Sequence, residues 1–287
     1  MKKRVKVLCL LMAVAIMATA MAGCGSKAQS TSAGASTSGS GTLEKVIKAK
    51  KLVVGTLLDN EPYGSKDSSG KPIGYDVDVT NMLAKSLGAQ PEIVSLTVPE
   101  RITALETGKV DVVVGNFTIT MERAQKIDFS VPYDAGAAGI LVRKDSTTAH
   151  AKDLAGKKVG VTKGSTDQTS CENIIKSGVA INMVLFDNGD DEETALKNKQ
   201  IDAIIGDSPY CAFKGMKYPD IFKYVGTPDE MCMNPWYNAL GVKKGDQEWL
   251  NYINQFVFQI NNDGTNKAAY VKWFGKPVGI PLNPSEN

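Results

Sequence analysis

Two stretches of this chain share one grammar, and that grammar restricts the fold more than any other feature. From Leu105 to Gly115 and again from Leu196 to Gly206, a helical end passes through a short polar turn into a β-branched run with one aspartate near its start. The runs read Val110-Asp111-Val112-Val113-Val114-Gly115 and Ile201-Asp202-Ala203-Ile204-Ile205-Gly206. An almost unbroken apolar run of this length, bounded by turn residues, fits a strand buried on both faces, the kind found in parallel sheets covered by helices. The two stretches are not a true repeat. They are one packing unit used once in each half, which predicts two α/β lobes.

The rest of the chain supplies matching parts. Strands are expected at Lys51–Gly55, Glu92–Ser95, Lys158–Val161 and Asn182–Phe186, beside those at Val110–Val114 and Ile201–Ile205. Helices are expected at Val77–Leu87, Arg101–Glu106 and Asp191–Asn198; Asp153-Leu154 opens a short one and Gly164-Ser165-Thr166 the next. Glu248–Phe274 reads as helical and aromatic-rich, suited to packing back onto a lobe. Strand–helix alternation of this kind means α/β architecture with mainly parallel sheets.

The first residues carry Lys2, Lys3, Arg4 and Lys6, then an apolar run from Val7 to Met21 and the junction Ala22-Gly23-Cys24. A basic patch, a short apolar stretch and a small-residue junction read as a secretion signal over 1–23. The junction resembles a bacterial lipobox, which implies acylation of Cys24 as the new N-terminus; an ordinary cleaved signal with an incidental cysteine is the alternative. Residues 24–42 would follow as a lipidated cysteine and a tether of Ser, Gly, Ala and Thr, with too little apolar surface to offset chain entropy. About 245 residues then remain from Leu43, enough for one large domain or two smaller ones. Removing the four basic residues of the leader takes the formal charge of +2 to −2, and this mild acidity speaks against nucleic acid as a partner. Cys171, Cys211 and Cys232 lack any Cys-x-x-Cys spacing, so no zinc site or disulfide framework is indicated, although one bridge is allowed. His150 is the one histidine, set in a polar stretch and expected to be a solvated surface residue. No Ser/His/Asp or Cys/His set, nucleotide loop or metal spacing is recognisable; the expectation is no cofactor, no metal and no enzyme.

Four ordered landmarks run through the folded part: Gly74-Tyr75-Asp76-Val77-Asp78-Val79; Thr118-Ile119-Thr120-Met121-Glu122-Arg123 with Ile127-Asp128-Phe129-Ser130-Val131-Pro132-Tyr133; Lys158-Val159-Gly160-Val161 with Gly164-Ser165-Thr166; and Lys272-Trp273-Phe274-Gly275. Together they resemble the family 3 extracytoplasmic solute-binding proteins, the receptors of polar amino acid ABC importers, from Leu43 onward. The resemblance implies a two-lobed periplasmic-binding-protein-like fold of type II, with the ligand in the interlobe cleft and two hinge crossings at about 134–140 and 235–240. Lobe 1 would comprise 43–134 with 239–287, and lobe 2 would comprise 141–234. The partners implied are a free amino acid, an ABC transporter permease and a membrane reached through the lipid on Cys24, the chain itself being a monomer. It would work outside the cytoplasm, lipid-anchored to the outer face of the cytoplasmic membrane, or in the periplasm.

An α-carboxylate needs a planar fork of donors, which Arg123 supplies; the alternative is a surface arginine in a Glu122-Arg123 pair. Ser165 and Thr166 would add backbone donors at a helix start, or act as its cap. By the resemblance, the ammonium acceptors fall at Asn116, Thr118 and Asp207, with helix capping as the other reading of Asp207. Places where relatives stack aromatics on the ligand hold Asn60 and Val98. Arg101 is either a partner for a side-chain carboxylate or a solvated residue paired with Glu100 or Glu106. Asp167 would repel an acidic ligand unless Arg101 answers it. These residues favour a neutral polar or acidic ligand over a large cation. A sensory domain using the same site, or a dehydratase-like enzyme with Asp167 or Glu100 as its acid, are the rival readings.

Overall fold

Two five-stranded sheets organise the computed structural model, which describes residues 41–226, 235–279 and 282. In chain order, the first half contains α1 (Thr42–Ala49), β1 (Lys51–Thr56), β2 (Ser65–Lys66), β3 (Pro72–Ile73), α2 (Tyr75–Ser86), β4 (Gln90–Ser95), α3 (Glu100–Glu106), β5 (Val112–Val113), α4 (Met121–Ala124) and β6 (Ile127–Phe129). The middle contains β7 (Asp134–Gly136), β8 (Ala138–Arg143), a 3-10 turn (Ala151–Leu154), β9 (Lys158–Thr162), α5 (Thr166–Lys176), β10 (Asn182–Phe186), α6 (Gly189–Lys197), β11 (Ala203–Asp207), α7 (Ser208–Lys217) and β12 (Phe222–Val225). The chain ends with β13 (Trp236–Asn238), β14 (Gly241–Lys243), α8 (Gln247–Asn262) and α9 (Thr265–Phe274).

One sheet has the order β4-β1-β5-β14-β6, the other β10-β9-β11-β8-β12. In each, a parallel trio is extended by antiparallel strands: β1 runs parallel to β4 and β5, and β9 runs parallel to β10 and β11. The architecture is α/β with two lobes, as the alternation of strands and helices predicts. The shared grammar of the two halves has a shared cause. Asp111 donates its amide to the Val53 carbonyl (2.8 Å) and accepts the Val53 amide at Oδ2 (2.9 Å). Asp202 does the same with the Lys158 carbonyl (2.7 Å) and amide (2.9 Å). Each aspartate thus splices the start of its strand onto the neighbouring strand with a short side-chain acceptor.

Between the sheets, β7 and β13 pair antiparallel with Trp236 opposite Gly136 and Asn238 opposite Asp134. The C-terminal helices return to the first lobe, where Trp249 is fully buried and its indole donates to the Asp111 carbonyl at 2.8 Å. Burial of one such side chain contributes roughly 2–3 kcal/mol.

Several expectations shift. The tether to Thr42 is too long by at least one residue, because Thr42 opens α1 and its amide donates to Asp246 Oδ2 at 3.1 Å. Asp153-Leu154 belongs to a single 3-10 turn, not an α-helix; His150 caps it, half-buried, in a reciprocal pairing with Asp153. The Glu248–Phe274 helix is two helices, broken where Gly264 adopts a φ of +83°. The second-lobe strand extends to Asp207 rather than stopping at Ile205. Cys171 and Cys211 are buried free thiols, which removes a bridge between them. The leader 1–23, the Cys24 anchor, the tether up to Ser40, and Cys232 lie outside the described residues.

Candidate functional site

A cavity of about 60 Å³ lies between the sheets, and all ten candidate residues line it: Asn60, Val98, Arg101, Asn116, Thr118, Arg123, Ser165, Thr166, Asp167 and Asp207. At ~10–15 Å³ for each water position and ~30 Å³ per water in bulk, such a space suits a molecule of amino acid size.

Arg123 is set in place by its own short helix. Thr120 caps α4 by accepting the Arg123 amide at 3.1 Å. The guanidinium then donates through Nη1 to the Thr118 carbonyl (2.8 Å) and through Nη2 across to the Gly164 carbonyl of the other lobe (3.1 Å). Among the described residues it forms no ion pair with Glu122, so the surface-pair reading fails. Arg101 is buried, 3% exposed, which rules out the solvated pairing with Glu100 or Glu106. Its Nε donates to the Val98 carbonyl (3.1 Å), and its Nη1 to the carbonyls of Gly115 and Asn116 (both 3.0 Å). Both guanidiniums lie over the Phe117 ring, at 4.4 Å for Arg101 and 5.3 Å for Arg123. Burial pushes the Arg101 pKa well below its usual value, and the neighbouring charge of Arg123 adds to this.

The loop that bears Asn116 and Thr118 is held from below. Asn116 has a φ of +44°, a conformation asparagine tolerates better than most residues. Its amide donates to Asp76 Oδ2 at 2.9 Å, and the Tyr133 hydroxyl donates to Asp76 Oδ1 at 2.6 Å. Burial raises Asp76 to about 7 against the pull of those two bonds. Asn238 sits at the centre. Its Nδ2 donates to Asn116 Oδ1 (2.6 Å) and Asp134 Oδ2 (2.9 Å), and its Oδ1 accepts from the Thr118 hydroxyl (3.0 Å). Tyr63 links this group to the second lobe, its hydroxyl lying 3.1 Å from Asp134 Oδ2 and 2.9 Å from Asp207 Oδ2. Thr118 faces Thr166 across the lobes at 3.4 Å between hydroxyls.

From the second lobe, Ser165 is the N-cap of α5 and accepts the Gln168 amide at 3.1 Å, so its capping reading holds while it still lines the cavity. Asp207 stands at the N-cap position of α7 without making a side-chain cap bond. Among the described residues no well-aligned hydrogen bond reaches its Oδ1 or Asp167 Oδ1, although the Asn116 and Trp236 side chains lie near enough to Asp207 to pull its pKa down against burial. Burial raises Asp207 to about 6 and Asp167 to about 8; for Asp167 the charge of Asp207 adds to burial, while Arg123 and Arg101 oppose it. Glu100 is exposed and lies outside this cavity, accepting from the Thr97 amide and hydroxyl, which hold its pKa low. It has no place as a cavity acid.

Sequence reasoning missed Asp59, Glu192 and Trp236, which line the same cavity. Glu192 accepts from the Thr162 hydroxyl at Oε2 (2.9 Å), leaves Oε1 unpartnered, and is raised by burial to about 8. It is one of four acids in Asp190-Asp191-Glu192-Glu193, a run that reads as a solvated helix start. Only the 3.6-residue turn of α6 singles it out as the buried one. The wall therefore offers a cationic fork and several carboxyl oxygens with free acceptor capacity, which matches a zwitterion. No group of His, Cys, Asp and Glu able to hold a metal is present among the described residues.

Known proteins are similar to this chain in sequence and fold. The profile of the bacterial extracellular solute-binding proteins, family 3, matches residues 52–276. The L-cystine-binding protein TcyJ of Escherichia coli K12 is 30% identical over 241 residues, 83% of this chain and 88% of that protein. The ABC transporter glutamine-binding protein GlnH of Bacillus subtilis is 31% identical over 237 residues, 81% of this chain and 84% of that protein. An ancestral arginine-binding protein bound to arginine superposes with a TM-score of 0.71 at 34% identity, covering 79% of this chain and 99% of that one. An ancestral amino acid-binding protein, a precursor of cyclohexadienyl dehydratase, gives 0.74 at 33% identity, covering 81% and 99%. The chain belongs to the bacterial extracellular solute-binding proteins, family 3.

Proposed function

We propose that this protein is an extracytoplasmic receptor that binds one free polar L-amino acid between its lobes and delivers it to an ABC importer by lobe closure. Arg123, with the start of α5 at Ser165 and Thr166, takes the α-carboxylate; Asp207, Asn116 and Thr118 take the ammonium. The lobes are 43–134 with 239–287, and 141–234, and the β7–β13 ribbon is the hinge. Cys24 carries the lipid anchor. The observation that carries the reading is the convergence of the Arg123 fork and the unpartnered oxygens of Asp207, Asp167 and Glu192 on one cavity of amino acid size. A ligand held by both lobes favours the closed state because it binds that state better.

The ligand's side chain is neutral and polar, or acidic. Asp59, Asp167 and Glu192 line the wall as well, and Arg101 gives its Nε and Nη1 to three backbone carbonyls. Among the described residues, carboxyl groups with unpartnered oxygens outnumber the one uncommitted nitrogen of Arg101, Nη2, which favours a neutral side chain that donates hydrogen bonds over a carboxylate.

One observation favours a second reading. Asp167 and Glu192, held at about 8, keep a proton at neutral pH inside the cavity, which is what a general acid for a dehydration needs. Calorimetry with the twenty amino acids, followed by mass analysis of the recovered ligand, separates the two. Stoichiometric binding of an unchanged amino acid supports the receptor, and consumption of the ligand supports the enzyme. Arg123→Ala should weaken binding at least ~100-fold, since a buried carboxylate loses a charged bidentate partner; retained affinity would refute the carboxylate clamp.

A further inference from the structure

A second cavity of about 700 Å³ adjoins the first and shares only Asp59 with it. Across it the lobes meet through charge rather than through ligand-facing groups. Glu61 follows Asp59 and Asn60 in the loop after β1 and reaches over to α7. Lys214 Nζ lies 3.2 Å from Glu61 Oε2, Lys217 Nζ contacts Glu61 Oε1, and the Tyr218 hydroxyl lies 3.5 Å from Oε2. Lys214 is 5% exposed. Its ammonium has a second partner in its own lobe, Glu193 Oε2 at 2.6 Å, and lies 5.5 Å and 5.6 Å from the ring centroids of Tyr210 and Tyr218.

This set of partners is asymmetric. A buried ammonium cannot be left without a counter-charge except at large cost. Glu193 stays with Lys214 whether or not the lobes part, so the cation is compensated in both states. Glu61 can then leave and rehydrate with lobe 1. Its loop also brings Asp59 and Asn60 to the ligand cavity, and Asp59 Oδ2 accepts from the Gly189 amide at the start of α6 (3.3 Å). Whatever holds Glu61 to α7 thus also holds one wall of the cavity in its closed position.

We propose that Glu61 and the Lys214–Lys217 face of α7 form an electrostatic clasp between the lobes, in which Glu61 and Lys214 are positioning residues that set closure, and through it ligand affinity and dwell time, without touching the ligand. Only the affinity consequence rests on the receptor reading; the clasp itself is argued from the contacts of Glu61 with Lys214 and Lys217.

Small-angle scattering of the chain without added amino acid provides the direct test. At low salt, Glu61→Gln should have a larger radius of gyration than the native chain. The native chain should expand as salt rises towards 1 M, where the screening length falls to ~3 Å, and the variant should not respond. With L-glutamine and L-glutamate as probes, Glu61→Gln should raise both dissociation constants about tenfold, mainly through faster release, and leave their ratio unchanged. Equal radii for the native chain and Glu61→Gln at low salt would overturn the clasp, as would a changed probe ratio, which would mean that Glu61 meets the ligand. If Glu61→Gln does not fold, Lys217→Gln, whose side chain is 41% exposed, should expand the chain in the same direction by less. An unchanged radius in that variant then decides against the clasp. Failure of every amino acid to bind would refute the receptor reading and leave the scattering result standing.

Discussion

Glu192 shows how much of this cavity is decided by single side chains. Burial raises its pKa from 4.5 to about 8, so the folded protein holds this proton more tightly than the unfolded chain does. Its contribution to stability is therefore fully present below about 4.5 and lost as pH rises through about 8. Glu192→Gln keeps an oxygen for the Thr162 hydroxyl and cannot ionise. Its melting temperature should exceed that of the native chain by at least ~2 °C at about pH 9, with no gap near pH 4. The same gap at both pH values would show that Glu192 is not protonated in the fold. Arg123 and Asp207, which both line the cavity, could be singled out in the sequence chiefly through the family resemblance, because a guanidinium fork also serves surface ion pairs and an aspartate after a strand also serves as a helix cap. Asp76, Asn238 and Asp134 were not legible. Their partners are 40, 122 and 71 positions away in the chain, and no local pattern marks a side chain whose work is to hold another.

At the scale of elements, Gly136 in β7 is the most constrained position beside the site. A β-carbon there would lie 2.2 Å from Asp207 Oδ1 and 3.1 Å from the Trp236 indole nitrogen. Gly136→Ala must therefore displace Asp207. The expected result is ligand affinity reduced at least ~10-fold by calorimetry, with far-ultraviolet circular dichroism unchanged, because a single buried methyl overpacks by only about 1–3 kcal/mol. Unchanged affinity would remove Asp207 from the ammonium site. The six strands of the two parallel trios and the helices between them were readable within a few residues, since period 2 and period 3.6 separate cleanly in runs such as Lys158–Thr162 and Tyr75–Ser86. The helices α1, α4 and α7 escaped notice, as did the β2–β3 hairpin, the β7–β13 ribbon, β6, β8, β12 and β14. Apart from β8 these strands are short, and long-range pairing rather than local propensity makes them strands.

At the scale of the whole molecule, a ligand that bridges two lobes should stabilise both together. At ~100-fold excess over Kd the gain is about 2.7 kcal/mol, or about 5–10 °C in melting temperature for a fold of this size. A thermal-shift panel of amino acids checks this, and the absence of a shift with any of them would contradict cleft binding. The two lobes were legible from their repeated strand grammar, whereas contacts between them such as Glu61 with Lys214 were not, because they join segments distant in the chain. The buried thiols of Cys171 and Cys211 carry a last consequence. Burial pushes Cys171 up to about 11 and Cys211 well above its usual value, so neither presents a thiolate at neutral pH, and the thiolate is the form that oxidants and disulfide-exchange enzymes attack. These two sulfurs are therefore chemically silent outside the reducing cytoplasm, and the fold keeps its redox state without a bridge or a reductant to guard it.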